Sequence, residues 1–215
     1  MGTTRHPYLN QTVYTEDGIR RDHQQIVIPL FRDSTDMELI DLYDRERRPL
    51  GKTIIRGEAL PEGTYRIVVH VIIIDNDGRM LIQRRHPEKD SWPGAWDVTV
   101  GGWVDSGETS LQAGERELME ELGINLSLGN ARPVMTMNAG PVFDDYYVVT
   151  VDHDIGPLHL QGSEVVDAMW ADRDTIVEKI EDGSFIPYKV AFIDLLLSYK
   201  DYRGYRTSKD AKGND

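Results

Sequence analysis

The sequence predicts an α/β fold of the α+β kind, a mixed β-sheet sandwiched between helices in an α/β/α arrangement. Three observations lead there. Tyr65–Asp75 holds Ile67, Val68, Val69, Val71, Ile72, Ile73 and Ile74, a β-branched run that reads as a strand buried on both faces. Asp75-Asn76-Asp77-Gly78 is a hairpin signal leading into a return strand, Met80–Arg85, so the sheet is mixed and not all-parallel. After Gly101-Gly102 the apolar period lengthens from that of a strand to that of a helix, with Leu111, Leu118 and Leu122 on one side.

The remaining elements follow in order. Residues 1–36 form an N-terminal extension with one short strand signal at Ile26–Phe31. Residues 37–200 are the expected folded domain, and 201–215 a polar, flexible tail. Glu38–Tyr43 alternates as a short strand, Arg45–Leu50 reads as a turn, and Lys52–Arg56 as a second strand. His86–Gly94 is a polar loop, and Trp96–Val100 another strand. Thr109 caps the central helix, and Gly123 stands where a left-handed residue would stop it. Val134–Met137, Tyr146–Val151 and Val165–Trp170 read as strands, Asp174–Ile180 and Tyr188–Tyr199 as helices.

Charge and composition exclude several functions. The 24 basic and 37 acidic residues leave a formal charge of −13, which argues against duplex nucleic acid as a partner. The longest apolar runs fall far short of the ~20 residues of a membrane helix. Met1–Thr12 has no apolar signal core. There is no cysteine, which removes disulfides, thiolate metal sites and cysteine nucleophiles, and a cytoplasmic protein is the expectation.

Gly102–Ile124 carries the chemistry. Glu117, Glu120 and Glu121 stand at i, i+3 and i+4, so a helix sets three carboxylates on one face. Two unit charges 5 Å apart repel by about 3 kcal/mol at an effective dielectric of 20, and a divalent cation reverses that sign. Oxygen-only donors suit Mg²⁺ or Mn²⁺. The surrounding spacing is Gly102, five residues, Glu108, seven residues, then Arg116-Glu117-Leu118-x-Glu120-Glu121-x-Gly123-Ile124. With each position at average frequency, a chance match is roughly 10⁻⁹ per starting point. This segment resembles the Nudix box, and the chain resembles the Nudix hydrolase superfamily.

The resemblance implies a Nudix fold and a metal-dependent hydrolase that cleaves a diphosphate linkage by attack of water on phosphorus. It implies that Glu117, Glu120 and Glu121 bind the metal with a carbonyl near Gly101 or Gly102, and that Arg116 orients the glutamates and pairs with Glu108. Gly102, Glu108 and Gly123 are the motif's structural positions. The catalytic base varies in the superfamily between a box glutamate, here Glu117 or Glu120, and a later acidic residue, here Glu164 or Asp167. Arg84 or Arg85 could grip a phosphate, and Trp92 could stack on a base, whereas Trp96 and His70 read as core residues, the histidine with its polar atoms satisfied. Some members pair through sheet edges, so a homodimer is open.

The run Glu38–Asp44, with Arg56-Gly57-Glu58, Gly63-Thr64-Tyr65 and Val69-His70-Val71, is similar to the isopentenyl-diphosphate-isomerase-like branch. The isomerases of that branch use a cysteine in a stretch just before the box, followed soon by a histidine metal ligand, and the matching stretch Asp97–Trp103 holds neither. Hydrolysis of a nucleoside diphosphate derivative or similar small molecule is therefore the expected activity. A diphosphate-binding regulator without turnover and an isomerase with a substituted acid are the alternatives.

Overall fold

The structure, a computed structural model, describes residues 38–152 and 155–201. The strand signal at Ile26–Phe31 and the polar tail lie outside the described residues.

β1 (Leu39–Tyr43) and β2 (Pro49–Ile55) form an antiparallel hairpin. Its buried side chains, Ile40, Leu42 and Ile54, make a small core of their own, against which Leu60 and Trp103 pack. The turn read over Arg45–Leu50 ends earlier than expected, because Pro49 already pairs with Tyr43 across a bulge. Arg47, at the hairpin tip with φ 61°, reaches down to a buried carboxylate, Asp145.

Among the described residues the main sheet has seven strands. β3 (Arg66–Asp75) runs through its middle, parallel to β8 (Val142–Val151) and antiparallel to β4 (Met80–Arg85) and β6 (Val100–Trp103). β4 also pairs with β5 (Trp96–Asp97) and β9 (Val165–Ala171), while β7 (Met135–Asn138) lies along β8. The parallel and antiparallel pairings make the sheet mixed.

The two faces of β3 explain the layers. Val69, Val71 and Ile73 pack in one core with Ala113, Leu118 and Leu122 of α1 (Ser110–Leu122). Ile72 and Ile74 pack in the other core with Ile176 of α2 (Arg173–Glu181), and Ile193 and Leu196 of α3 (Val190–Ser198). A strand covered on both faces by helices carries apolar residues on both sides, as Ile67–Val69 and Val71–Ile74 of β3 do.

One strand departs from expectation. Trp96–Val100 is broken at Val98-Thr99, so that β5 follows β4 and β6 follows β3. The register given for β3 with β4 is the single pair Ile74↔Met80. Beyond it Thr99 bridges the two: its hydroxyl donates to Leu81 O at 2.6 Å and accepts from Ile73 N at 2.9 Å. A side chain thus replaces ladder hydrogen bonds where the strands part.

Candidate active site

α1 is fixed at both ends. Thr109 and Gln112 form a reciprocal capping box, with Gln112 N 3.3 Å from the threonine hydroxyl and Thr109 N 2.9 Å from Gln112 Oε1. Gly123 stops the helix at φ 69°, a conformation costly for any residue with a Cβ. The loop before β9 then closes over this end, with His159 N donating to Leu122 O at 2.9 Å and Gln161 N to Glu121 O at 3.0 Å. The same loop carries Glu164, whose carbonyl accepts from His86 N at 2.8 Å. The helix end, the Glu164 loop and the loop after β4 are therefore one hydrogen-bonded unit.

Arg116 organises the acidic face. Its Nε lies 3.0 Å and 3.2 Å from the two oxygens of Glu108, and Nη1 donates to Glu117 Oε1 at 2.8 Å and Glu120 Oε2 at 3.0 Å. Nη2 donates to Trp103 O at 3.0 Å and to Glu108. Burial works against this charge, but Glu117, Glu108 and Asp105 outweigh it and raise the guanidinium's pKa. Glu121 takes a separate partner, accepting from Gln83 Nε2 at 2.9 Å. Burial pushes the carboxyls of both Glu117 and Glu121 upward, for Glu117 against the pull of Arg116.

Gly102 faces Glu117. A Cβ at that position would collide with the glutamate's carboxylate, so glycine is what leaves room for the carboxylate in this place.

These groups open into a cavity of about 750 Å³. Glu117, Glu120, Glu121, Arg116, Gly101, Gly102 and Glu164 line it, as do Arg85, Lys89 and Trp92 from β4 and the following loop. Glu164 is ion-paired with Lys89. Arg85 is braced by Ser91, its Nε and Nη2 each 3.1 Å from a serine oxygen. Trp92 is half exposed, with φ 51°. Arg84 is not brought to the cavity: it alternates to the outer side of β4, is exposed, and donates to Gly94 O at 3.1 Å. Asp167 sits on β9 opposite Arg84 and does not line the cavity either.

Trp96 is buried in the second core, as expected. His70 is not the satisfied core histidine expected from an apolar strand, because it lines the cavity and its Nδ1 has no hydrogen-bond partner. Asp97, Tyr188 and Arg56 were missed as cavity residues. The available signal was the polar His70 inside a β-branched run, with the Gly101-Gly102 pair further along the chain.

Among the described residues no three acidic or histidine side chains close on one point as a metal centre. Arg116 and Gln83 hold the three glutamates on separate bonds. The donor chemistry nevertheless fits a hard divalent cation: carboxylates on one helix, two of them buried with raised pKa values, facing a polar cavity.

Residues 64–191 match the NUDIX domain profile. The chain belongs to the Nudix hydrolase family. An uncharacterised Nudix hydrolase of Listeria monocytogenes is 40% identical over 165 residues, 77% of this chain and 96% of its own length. Nudix hydrolase 3 of Arabidopsis thaliana is 33% identical over 71% of this chain but only 22% of its own length. Among solved Nudix-like structures, Deinococcus radiodurans DR0079 superposes with a TM-score of 0.58 at 25% identity, covering 77% of this chain and all of that one. A bifunctional NMN adenylyltransferase/ADP ribose pyrophosphatase from Francisella tularensis, solved with AMP and a manganese ion, shares the fold at a TM-score of 0.52 and 21% identity, over 63% of this chain and 42% of its own. Among the described residues no helix is long and apolar enough to cross a membrane.

Proposed function

We propose that this Nudix hydrolase cleaves the diphosphate linkage of a nucleoside diphosphate derivative, using Mg²⁺ or Mn²⁺. The observation that carries the reading is the shared wall of one cavity: Glu117, Glu120 and Glu121 lie beside the cations Arg85 and Lys89. Carboxylates alone would repel a diphosphate, and cations alone would hold it without turnover.

In this reading Glu117, Glu120 and Glu121 hold the metal, with the Gly102 carbonyl as a further oxygen donor. When bound, the cation neutralises the diphosphate, polarises phosphorus and lowers the pKa of an attacking water. Arg85 grips a phosphate oxygen, and Trp92 offers an exposed ring for stacking. Glu164 is the base that takes the water's proton on a carboxylate oxygen, with Lys89 holding the side chain toward the cavity. Arg116 keeps the glutamates in place by its bonds to Glu117 and Glu120.

The similarity of the N-terminal hairpin to the isopentenyl-diphosphate-isomerase-like branch does not favour isomerisation, since the whole chain lacks the cysteine acid. The Francisella protein's pyrophosphatase activity makes ADP-ribose the first substrate to try. The test is release of nucleoside monophosphate from a panel that includes ADP-ribose, with and without Mg²⁺ or Mn²⁺, for wild type and Glu120→Gln. The reading expects turnover that needs metal and falls in the variant by about 10²–10⁴. Metal-dependent binding with no turnover of any substrate would favour the regulator instead.

A further inference from the structure

The loop between β6 and α1 is held by an element far from it in sequence. Val104 N donates to Ile67 O at 3.2 Å and ties the start of the loop to β3, while the Thr109 cap fixes its end. Between these anchors Ser106 and Gly107 are exposed, and their polar groups turn to β1. Ser106 N donates to Leu39 O at 2.7 Å. The Ser106 hydroxyl donates to Asp41 Oδ1 at 2.7 Å, and Gly107 N to Asp41 Oδ2 at 2.9 Å. Ile40 and Leu42 fill the small core of the hairpin, so strand alternation sets Asp41 on the other face of β1. The hairpin itself is fixed to the start of β3, with Tyr43 N donating to Tyr65 O at 2.8 Å and Tyr65 N to Tyr43 O at 2.9 Å.

A carboxylate at that place adds like charge to an acidic loop, because Ser106 and Gly107 stand between Asp105 and Glu108. Two hydrogen bonds to one carboxylate offset the repulsion as long as both donors stay in place. The loop they fix leads to the glutamate face of α1. Glu108 N donates to Asp105 O at 3.0 Å, and Asp105 N lies 3.3 Å from Glu108 Oε2, so Glu108 closes the loop on itself. The same carboxylate holds Arg116, whose Nη1 reaches Glu117 and Glu120. The other anchor of Arg116, Trp103 O, is set by the pairing of β6 with β3. Glu108 has no such ladder and takes its place from the loop that Asp41 grips.

We propose that Asp41 is a positioning residue for the metal site: by clamping Ser106 and Gly107 it fixes Glu108, and through Glu108 the Arg116 guanidinium that aims Glu117 and Glu120. The inference rests on the reading of these glutamates as metal ligands and deepens it. Part of the metal affinity is assigned to a hairpin residue 65 positions before the loop.

The test is titration of full-length protein with Mn²⁺ alone, the free ion being followed by its electron paramagnetic resonance. Asp41→Leu removes both acceptors at similar size. Asp41→Asn keeps one oxygen for Gly107 N and turns an amide N–H to the Ser106 hydroxyl, which can accept it. Ile54→Ala opens the hairpin core and leaves the clamp in place. Partners that orient metal ligands directly are worth about 10–100-fold in metal affinity, and Asp41 stands further back. Asp41→Leu is therefore expected to weaken Mn²⁺ binding about fivefold or more. Asp41→Asn and Ile54→Ala stay within about twofold of wild type, although Ile54→Ala melts at a lower temperature.

Mn²⁺ affinity of Asp41→Leu within about twofold of wild type would overturn the proposal. So would Asp41→Asn or Ile54→Ala binding Mn²⁺ as weakly as Asp41→Leu, since neither removes the clamp. Should Asp41→Leu fail to fold, Ser106→Ala on the exposed loop decides: binding at least twofold weaker supports the clamp, and wild-type affinity overturns it. Wild type that binds no Mn²⁺, or binds it as tightly after Glu120→Gln, would instead sink the reading of the glutamates as metal ligands, and this inference with it.

Discussion

Burial, and then the nearby charge of Glu117, hold the Glu121 carboxyl well above its ordinary pKa of 4.5, and the hydrogen bond from Gln83 only partly offsets them. The fold therefore binds this proton more tightly than the unfolded chain does. Below about pH 4.5 both states are protonated and the group costs nothing. As pH rises from there through the folded value, ionisation in the unfolded chain leads, and stability is lost. In metal-free buffer, Glu121→Gln removes that loss, so the melting temperature of the variant gains on wild type as pH is raised from about 4.5 to neutrality. Thermal melts across that range check it, and a difference independent of pH would refute the assignment. Gly102 belongs to the same group of residues, because the absent Cβ is what leaves room for the Glu117 carboxylate.

Arg47 joins the β1–β2 hairpin to the main sheet. Its guanidinium pairs with both oxygens of Asp145, which is fully buried on β8 and also accepts from Thr136 at 2.6 Å. Burial alone would raise the Asp145 pKa, but the bonds from Arg47, Ser110 and Thr136 lower it, so the carboxylate stays charged and needs its partner. Arg47→Leu is expected to cost about 2–3 kcal/mol in chemical denaturation, discounted for the arginine's partial exposure and the remaining threonine bond. A loss below about 0.5 kcal/mol would show that the hairpin is held by Ile40, Leu42 and Ile54 alone. Elements such as α1 were legible in the sequence because their signals are local: Thr109, the leucine spacing and Gly123 fall within fifteen residues. β5 and β6 were not, because their separation depends on Thr99 bonding Leu81 and Ile73, which a run of apolar residues does not record. His70 escaped for a related reason: its partners Gly101 and Asp144 come from strands 31 and 74 positions away, and only the register brings them together.

At the scale of the whole molecule, the acidic helix face comes together with Arg85 and Lys89 because β3 and β4 part beyond Ile74 and Met80 and the chain crosses the gap at Thr99. Arg85 and Asp97 then belong to the β4 side of the cavity, Gly102 and His70 to the β3 side, and α1 lies against the latter. The Nudix spacing made the helix face and its glycines readable, whereas the choice between Arg84 and Arg85 needed the strand's orientation. The net charge of −13 leaves the cations of this cavity as a local exception in an acidic protein, which suits a small, metal-accompanied anion. The central claim is that water attacks phosphorus in this cavity under the control of the box glutamates. The most direct measurement is single-turnover hydrolysis of ADP-ribose, or the best panel substrate, in water carrying a heavy oxygen isotope, with Mg²⁺ present. The account predicts one heavy oxygen in a phosphate group of the products for wild type and, within the time wild type needs for its turnover, no measurable incorporation for Glu120→Gln. Heavy oxygen in a carbon-bound hydroxyl, or a rearranged product with no incorporation, would contradict it.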